Sequence, residues 1–220
     1  MPPDLVIFDC DGVLVDSEPV VTRVESQYFG TLGFTMDEHE MRRRFQGKTV
    51  GDVAAAVETQ LGRALAPEEL YAWGIATASA LAESLRAVPG VTDVVDLVRT
   101  SGTPVCVASQ SPLPRVRLSL AVTNLAAPFG GRIFTASMVA RPKPAPDLFL
   151  HAAARMDAQP SRCIVIEDSL SGVRAARAAG MRVFGYADGR GFPAAALADA
   201  GAEVVTSMRA LAEALAPALA

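Results

Sequence analysis

The chain has 220 residues, 50% hydrophobic and 20% charged, with a net charge of −4. That length buries a sizeable core without disulfide or metal staples, and the acidic balance leaves no basic surplus for a nucleic-acid partner. Mean hydropathy is +0.28, yet no window reaches the roughly 18–20 uninterrupted apolar residues of a membrane span.

The first apolar run, residues 5–8, reads as a strand that stops at Asp9. It is too short for a signal-peptide core and has no basic leader, so the expected location is the cytoplasm. From residue 17 to 87 the pattern turns helical. The spacing predicts helices over 18–29, 36–45, 51–61 and 67–85, with Thr35 as N-cap of the second and Pro67 opening the fourth ahead of Glu68 and Glu69. A parallel crossover needs about a dozen residues, so roughly seventy helical ones read as an inserted module. The chain crosses back near Asp16 and at Val88-Pro89-Gly90.

Beyond residue 88, apolar runs at 104–108, 132–135, 163–166, 182–186 and 203–206 alternate with helical patterns at 91–99, 115–120, 146–156, 171–179 and 208–214. Strands that are apolar throughout, alternating with helices, predict an α/β doubly wound parallel sheet covered on both faces. The expected organisation is a discontinuous core, 1–16 and 88–220, with a helical module over 17–87. Cys10, Cys106 and Cys163 lie in or beside apolar runs with no C-x-x-C spacing. They read as reduced, buried thiols.

Chemistry in open α/β sheets gathers beyond the carboxyl ends of strands. There the first strand presents Asp9-Cys10-Asp11-Gly12. Two carboxylates so close repel each other, and a Mg²⁺ ion, which prefers carboxylate oxygen, relieves that repulsion. The same residues also suit a solvated turn with an Asx cap. Ser109 ends the second strand, where a hydroxyl and the following amides can meet a phosphate, although serine is ordinary turn chemistry as well. Lysine is scarce: Lys48 and Lys143 are the only two, and Lys143 stands between Pro142 and Pro144. The fourth strand ends in Glu167-Asp168-Ser169, a second acidic pair able to complete a metal shell or to cap the next helix.

Taken in order, these features resemble the four motifs of the haloacid dehalogenase superfamily in its phosphotransferase branch. Asp9-Cys10-Asp11-Gly12-Val13-Leu14-Val15-Asp16-Ser17-Glu18 is similar to motif I, Ala108-Ser109 to motif II, Lys143-Pro144-Ala145-Pro146-Asp147 to motif III and Glu167-Asp168-Ser169-Leu170-Ser171-Gly172 to motif IV. The helical module resembles the C1-type cap of the β-phosphoglucomutase and sugar-phosphate phosphatase subgroup. The resemblance implies that Asp9 attacks phosphorus and forms an aspartyl phosphate, with Asp11 as general acid and base. Such an acid is expected to have a raised pKa. It further implies that Ser109, Gln110 and Lys143 hold the phosphoryl oxygens. Mg²⁺ would sit on Asp9, the Asp11 carbonyl and the motif IV acids Glu167 and Asp168. A small phosphorylated metabolite is the expected partner, with neither nucleic acid nor membrane, and the chain is expected to be a monomer or homodimer.

β-Phosphoglucomutases carry a histidine shortly after motif I, where this sequence has Val21, and a cap lysine, whereas this sequence has no lysine between Lys48 and Lys143. Both departures favour a phosphatase, with a sugar phosphate as the expected substrate, over a mutase. A non-catalytic metabolite sensor would not need both Asp9 and Asp11. In the module, Arg44 and Lys48 flank Phe45-Gln46-Gly47, a pattern like that of bacterial phosphatases acting on 6-phosphogluconate. Both residues are expected to contact substrate or else to form a solvated face. Tyr71 and Trp73 are expected to pack within the module, with Trp73 also placed to line substrate, and His39 and His151 to flank helices.

Overall fold

The computed structural model describes residues 2–220. In chain order the elements are β1 (Leu5–Phe8), α1 (Glu18–Thr31), α2 (Glu38–Phe45), α3 (Val50–Leu61), α4 (Pro67–Ser84), α5 (Val91–Thr100), β2 (Val105–Ser109), α6 (Leu113–Val122), α7 (Ala126–Phe129), β3 (Ile133–Thr135), α8 (Asp147–Arg155), β4 (Cys163–Glu167), α9 (Leu170–Ala178), β5 (Arg182–Tyr186), α10 (Ala194–Asp199), β6 (Glu203–Val205) and α11 (Met208–Leu219). Among the described residues the six strands form one sheet, ordered β3-β2-β1-β4-β5-β6, and every pairing is parallel. Strand order reverses between β1 and β4, so the crevice at the switch point opens where Asp9 and Glu167 leave the sheet.

Alternation of side chains along each strand divides the core in two. Val6, Phe8, Val105, Val107, Ile164 and Ile166 face the helices α5 and α11, whereas Leu5, Ile7, Cys106, Cys163 and Val165 face α8 and α9. All three cysteines are free and buried, as expected. The alanine-rich tail closes the fold as α11, seating Met208, Leu211, Leu215 and Leu219 in the first of these layers. No helix among the described residues is long and apolar enough to cross a membrane.

Helices α1 to α4 pack around a cluster of their own, with Phe29, Phe34, Met41, Phe45, Val57 and Trp73 at its centre. The Trp73 ring stands against Phe29 at 4.8 Å. The two crossings between this bundle and the sheet lie side by side: the Asp16 amide donates to the Arg86 carbonyl at 2.9 Å, and the Val88 amide to the Leu14 carbonyl at 3.0 Å.

Some local expectations are corrected. The N-cap of α2 is Asp37, not Thr35; its carboxylate accepts from the Glu40 amide at 2.8 Å, because the chain stays extended long enough to seat Phe34 and Met36 in the cluster. Tyr71 is 72% exposed. It lies two residues from Trp73, about 200° around the helix, so only one of the two rings can face inward. The short helices α7 and α10 have no counterpart in the sequence reading, since fewer than two turns are too few to show a repeating apolar face.

Candidate active site

At the switch point, the Lys143 ammonium is buried and donates to Asp9 Oδ1 at 2.6 Å, Glu167 Oε1 at 2.5 Å and the Ala108 carbonyl at 2.9 Å. Its Nζ also lies 4.8 Å from the centre of the Phe149 ring. One lysine therefore ties the ends of β1, β2 and β4 together. Burial pushes the Asp9 pKa up to about 8 while Lys143 pulls against it. Burial likewise works to lower Lys143, but Asp9 and Glu167 hold it above the usual lysine value. The 2.6 Å contact is a short, charge-assisted hydrogen bond from the ammonium.

Glu167 was expected at the metal. Here both of its oxygens are taken: Oε1 by Lys143, and Oε2 by the Ser169 amide at 3.0 Å and hydroxyl at 2.9 Å. Its carboxyl also lies so close to Gly172 that any Cβ there would collide with it. This geometry makes it the partner of Lys143. Asp168 differs. It faces Gly12, whose φ of +83° and missing side chain admit the carboxylate, and its only hydrogen bond among the described residues is from Gln46 Nε2 at 3.3 Å. Burial, and then the charges of Glu167, Glu18 and Asp9, push its pKa well up.

Asp11 overturns the expectation of a raised pKa. Burial works to raise it, but the Arg115 charge and hydrogen bonds from Ser17, Ser111 and Arg115 outweigh burial and hold it below the usual value. Arg115 donates to Oδ1 at 3.0 Å, Ser111 to Oδ2 at 2.7 Å, and Ser17 also donates to Oδ1. The neighbouring acids are visible in the sequence, whereas these donors come from the start of α1, the turn after β2 and α6. Ser109 is buried and accepts from the Ser111 amide at 3.0 Å, while its hydroxyl lies 3.5 Å from Asp11.

The loop after α2 reaches this site from the helical bundle. Gln110 Nε2 donates to the Gly47 carbonyl at 2.7 Å, and the Ser171 hydroxyl does so at 3.2 Å. Gln46, given no role of its own in the sequence, donates to Asp168. The cleft between bundle and sheet is lined by Asp9, Asp11, Ser109, Gln110, Lys143 and Asp168 from one side and by Arg42, Gln46 and Lys48 from the other. Arg44 is not among its lining residues. It is exposed, with its guanidinium 5.4 Å from the Phe45 ring centre. Helical spacing explains the exchange: Arg42 and Phe45 are three apart and share the inner face, and Arg44 turns away. Trp73 lines an adjoining apolar cavity of about 420 Å³ between α4 and α6, which shares Glu25, Val50 and Arg115 with the cleft.

Glu25, on α1, also lines the cleft and was unforeseen. It is buried and makes no hydrogen bond or ion pair among the described residues. Burial raises its pKa to about 7 from the ordinary 4.5, with Arg115 opposing. An acid whose folded pKa is raised penalises the folded state as pH climbs through that interval. Glu25→Gln is therefore expected to stabilise the ligand-free protein at pH 8 by up to about 3 kcal/mol, and to change little at pH 4, in urea unfolding followed by circular dichroism. An equal effect at both pH values would contradict this.

A family model for haloacid dehalogenase-like hydrolases matches residues 3–180. The chain is 31% identical over 182 residues to 6-phosphogluconate phosphatase of Escherichia coli K12, covering 82% of this chain and 81% of that protein. It is 33% identical over 183 residues to hexitol phosphatase B of the same organism, covering 80% of each. Among solved structures, a haloacid dehalogenase family hydrolase from Deinococcus radiodurans R1, with bound phosphate and sodium, is 34% identical with a TM-score of 0.79, covering 99% of this chain and 96% of that one. The chain belongs to the haloacid dehalogenase-like hydrolases.

Proposed function

We propose that this protein is a phosphatase that hydrolyses a small phosphorylated metabolite, a sugar phosphate, through an aspartyl-phosphate intermediate on Asp9. The observation that carries the reading is the buried Lys143–Asp9 pair at the switch point, with Asp11 two residues further along. The relatives named above are phosphatases of phosphorylated sugar acids and polyols by their names. Asp9 attacks phosphorus through the carboxylate, and the bond from phosphorus to the ester oxygen breaks. Asp11 gives its proton to the departing alkoxide and then accepts one from the water that releases phosphate. It is ionised on Arg115 in the free protein. A phosphate dianion entering beside it raises its pKa by like-charge repulsion, so it takes up from solvent the proton that it then gives to the alkoxide. Ser109, the backbone amide of Gln110 and Lys143 position the phosphoryl oxygens, and Lys48 meets the substrate at the rim.

Asp9 and Asp168 lie buried with more negative charge than Lys143 alone balances, as their raised pKa values indicate. That donor set fits a hard divalent cation completed by a carbonyl, water and phosphate oxygen, though no group of three or more acidic, histidine or cysteine side chains converges on one point among the described residues. Asp9, the Asp11 carbonyl and Asp168 would hold Mg²⁺, which supplies charge neutralisation at the phosphoryl group. Residues 17–87 act as the cap that shields the reaction from water. Its separate apolar cluster and its paired crossings support that reading. A phosphomutase is less well supported, since Val21 lines the cleft where such enzymes carry histidine.

The purified protein is expected to turn over p-nitrophenyl phosphate with Mg²⁺ and to lose that activity in EDTA, regaining it on Mg²⁺ addition. No turnover under any divalent cation would overturn the reading.

A further inference from the structure

We propose that Glu25, with the side-chain amide oxygen of Gln110 and the Nε of Arg115, forms the subsite for the leaving group and selects neutral polyhydroxy phosphate esters over esters carrying a second acidic group. This rests on the phosphatase reading and narrows its substrate.

The charges of the cleft are otherwise accounted for. Asp9 has Lys143, Asp11 has Arg115, and Glu18 has Arg42 at 3.9 Å. Asp168 belongs to the cation-binding pair. Glu25 is left over, 5% exposed and with no partner. Two further polar atoms of the same cleft are buried and unsatisfied: Gln110 Oε1, an acceptor, and Arg115 Nε, a donor. Buried polar groups are rarely left so, and a bound ligand is one way to satisfy them.

The mixture of atoms identifies the ligand. A carboxylate or second phosphate can only accept; it would suit Arg115 and be repelled by Glu25. An ammonium can only donate; it would suit Glu25 and oppose Arg115. A hydroxyl both donates and accepts, so a polyol chain satisfies all three. Lys48, the cation of the cleft without an ion pair among the described residues, is exposed at its rim. Water and salt screen it there, and a rim cation alone does not offset a buried carboxylate. Arg42 is engaged with Glu18, and Arg44 faces away.

The test compares sorbitol 6-phosphate with 6-phosphogluconate, two six-carbon esters that differ in an alcohol against a carboxylate at the far end. Turnover of p-nitrophenyl phosphate is measured alongside. The wild type is expected to favour the hexitol ester by about tenfold or more in kcat/KM. Glu25→Gln is expected to narrow that ratio to within about threefold, mainly through KM, by admitting the acid. Gln110→Leu, a second variant should Glu25→Gln fold poorly, is expected to raise KM for the hexitol ester more than for the acid. Comparable or inverted wild-type values would overturn the proposal while p-nitrophenyl phosphate turnover leaves the phosphatase reading intact. An unchanged ratio in well-folded Glu25→Gln would overturn it too. Loss of all phosphatase activity in the wild type would remove both.

Discussion

Asp9→Asn is expected to lower p-nitrophenyl phosphate turnover by about 10⁴-fold or more, the scale on which removing a covalent nucleophile acts. The reason is local. An amide nitrogen and oxygen replace the attacking carboxylate, while Oδ1 can still accept from Lys143. The fold is expected to survive, because the substitution removes a charge that burial penalises. Circular dichroism and thermal melting separate the two effects: activity vanishes while the melting temperature holds or rises. Retention of near-wild-type turnover in a preparation free of contaminating phosphatase would eliminate Asp9 as nucleophile.

Lys143→Met is expected to damage both stability and activity. The lysine side chain is 1% exposed and lies between two carboxylates. Its removal leaves Asp9 and Glu167 buried, unpaired and facing each other. Breaking a buried pair in this way costs about 3–5 kcal/mol, and losing a charge aimed at the phosphoryl group costs about 10²–10³ in kcat. The pH dependence has a defined sign. Asp9 and Glu167 hold the Lys143 pKa above its ordinary value against the pull of burial. Its contribution is therefore complete below about 10.5 and fades only as pH rises through the higher folded value. The deficit of the variant in urea unfolding is expected to be as large at pH 9 as at pH 7. A deficit under about 1 kcal/mol, as for an exposed pair, would show that the lysine is not the buried clamp described above.

The motif residues were legible because each ends an apolar strand, and strand ends on one side of a parallel sheet converge whatever the connecting helices do. Asp9, Ser109 and Glu167 are marked by the step from apolar run to polar residue. Lys143 was legible for another reason: it is one of only two lysines, set between prolines. The inserted helices announced themselves by a change of period. Their inward faces were harder. Arg42 and Arg44 look alike in a run of three arginines, and a phase error of two residues puts the wrong one in the cleft.

The sequence by itself determined the order of the strands and the longer helices, the helical stretch after β1, and the residues at the sheet's carboxyl edge, since periodicity and punctuation are local properties of the chain. Only the tertiary structure decided what those residues do to one another. Asp11 is held ionised by Arg115, 104 positions away, and by Ser111, 100 positions away. Glu167 is bound to Lys143 and Ser169, and Glu25 is brought into the cleft without a partner. A pKa and a binding preference are sums over every charge and donor within a few ångströms. Those neighbours are assembled by the packing of α1 and α6 against the sheet's edge, which no local pattern encodes.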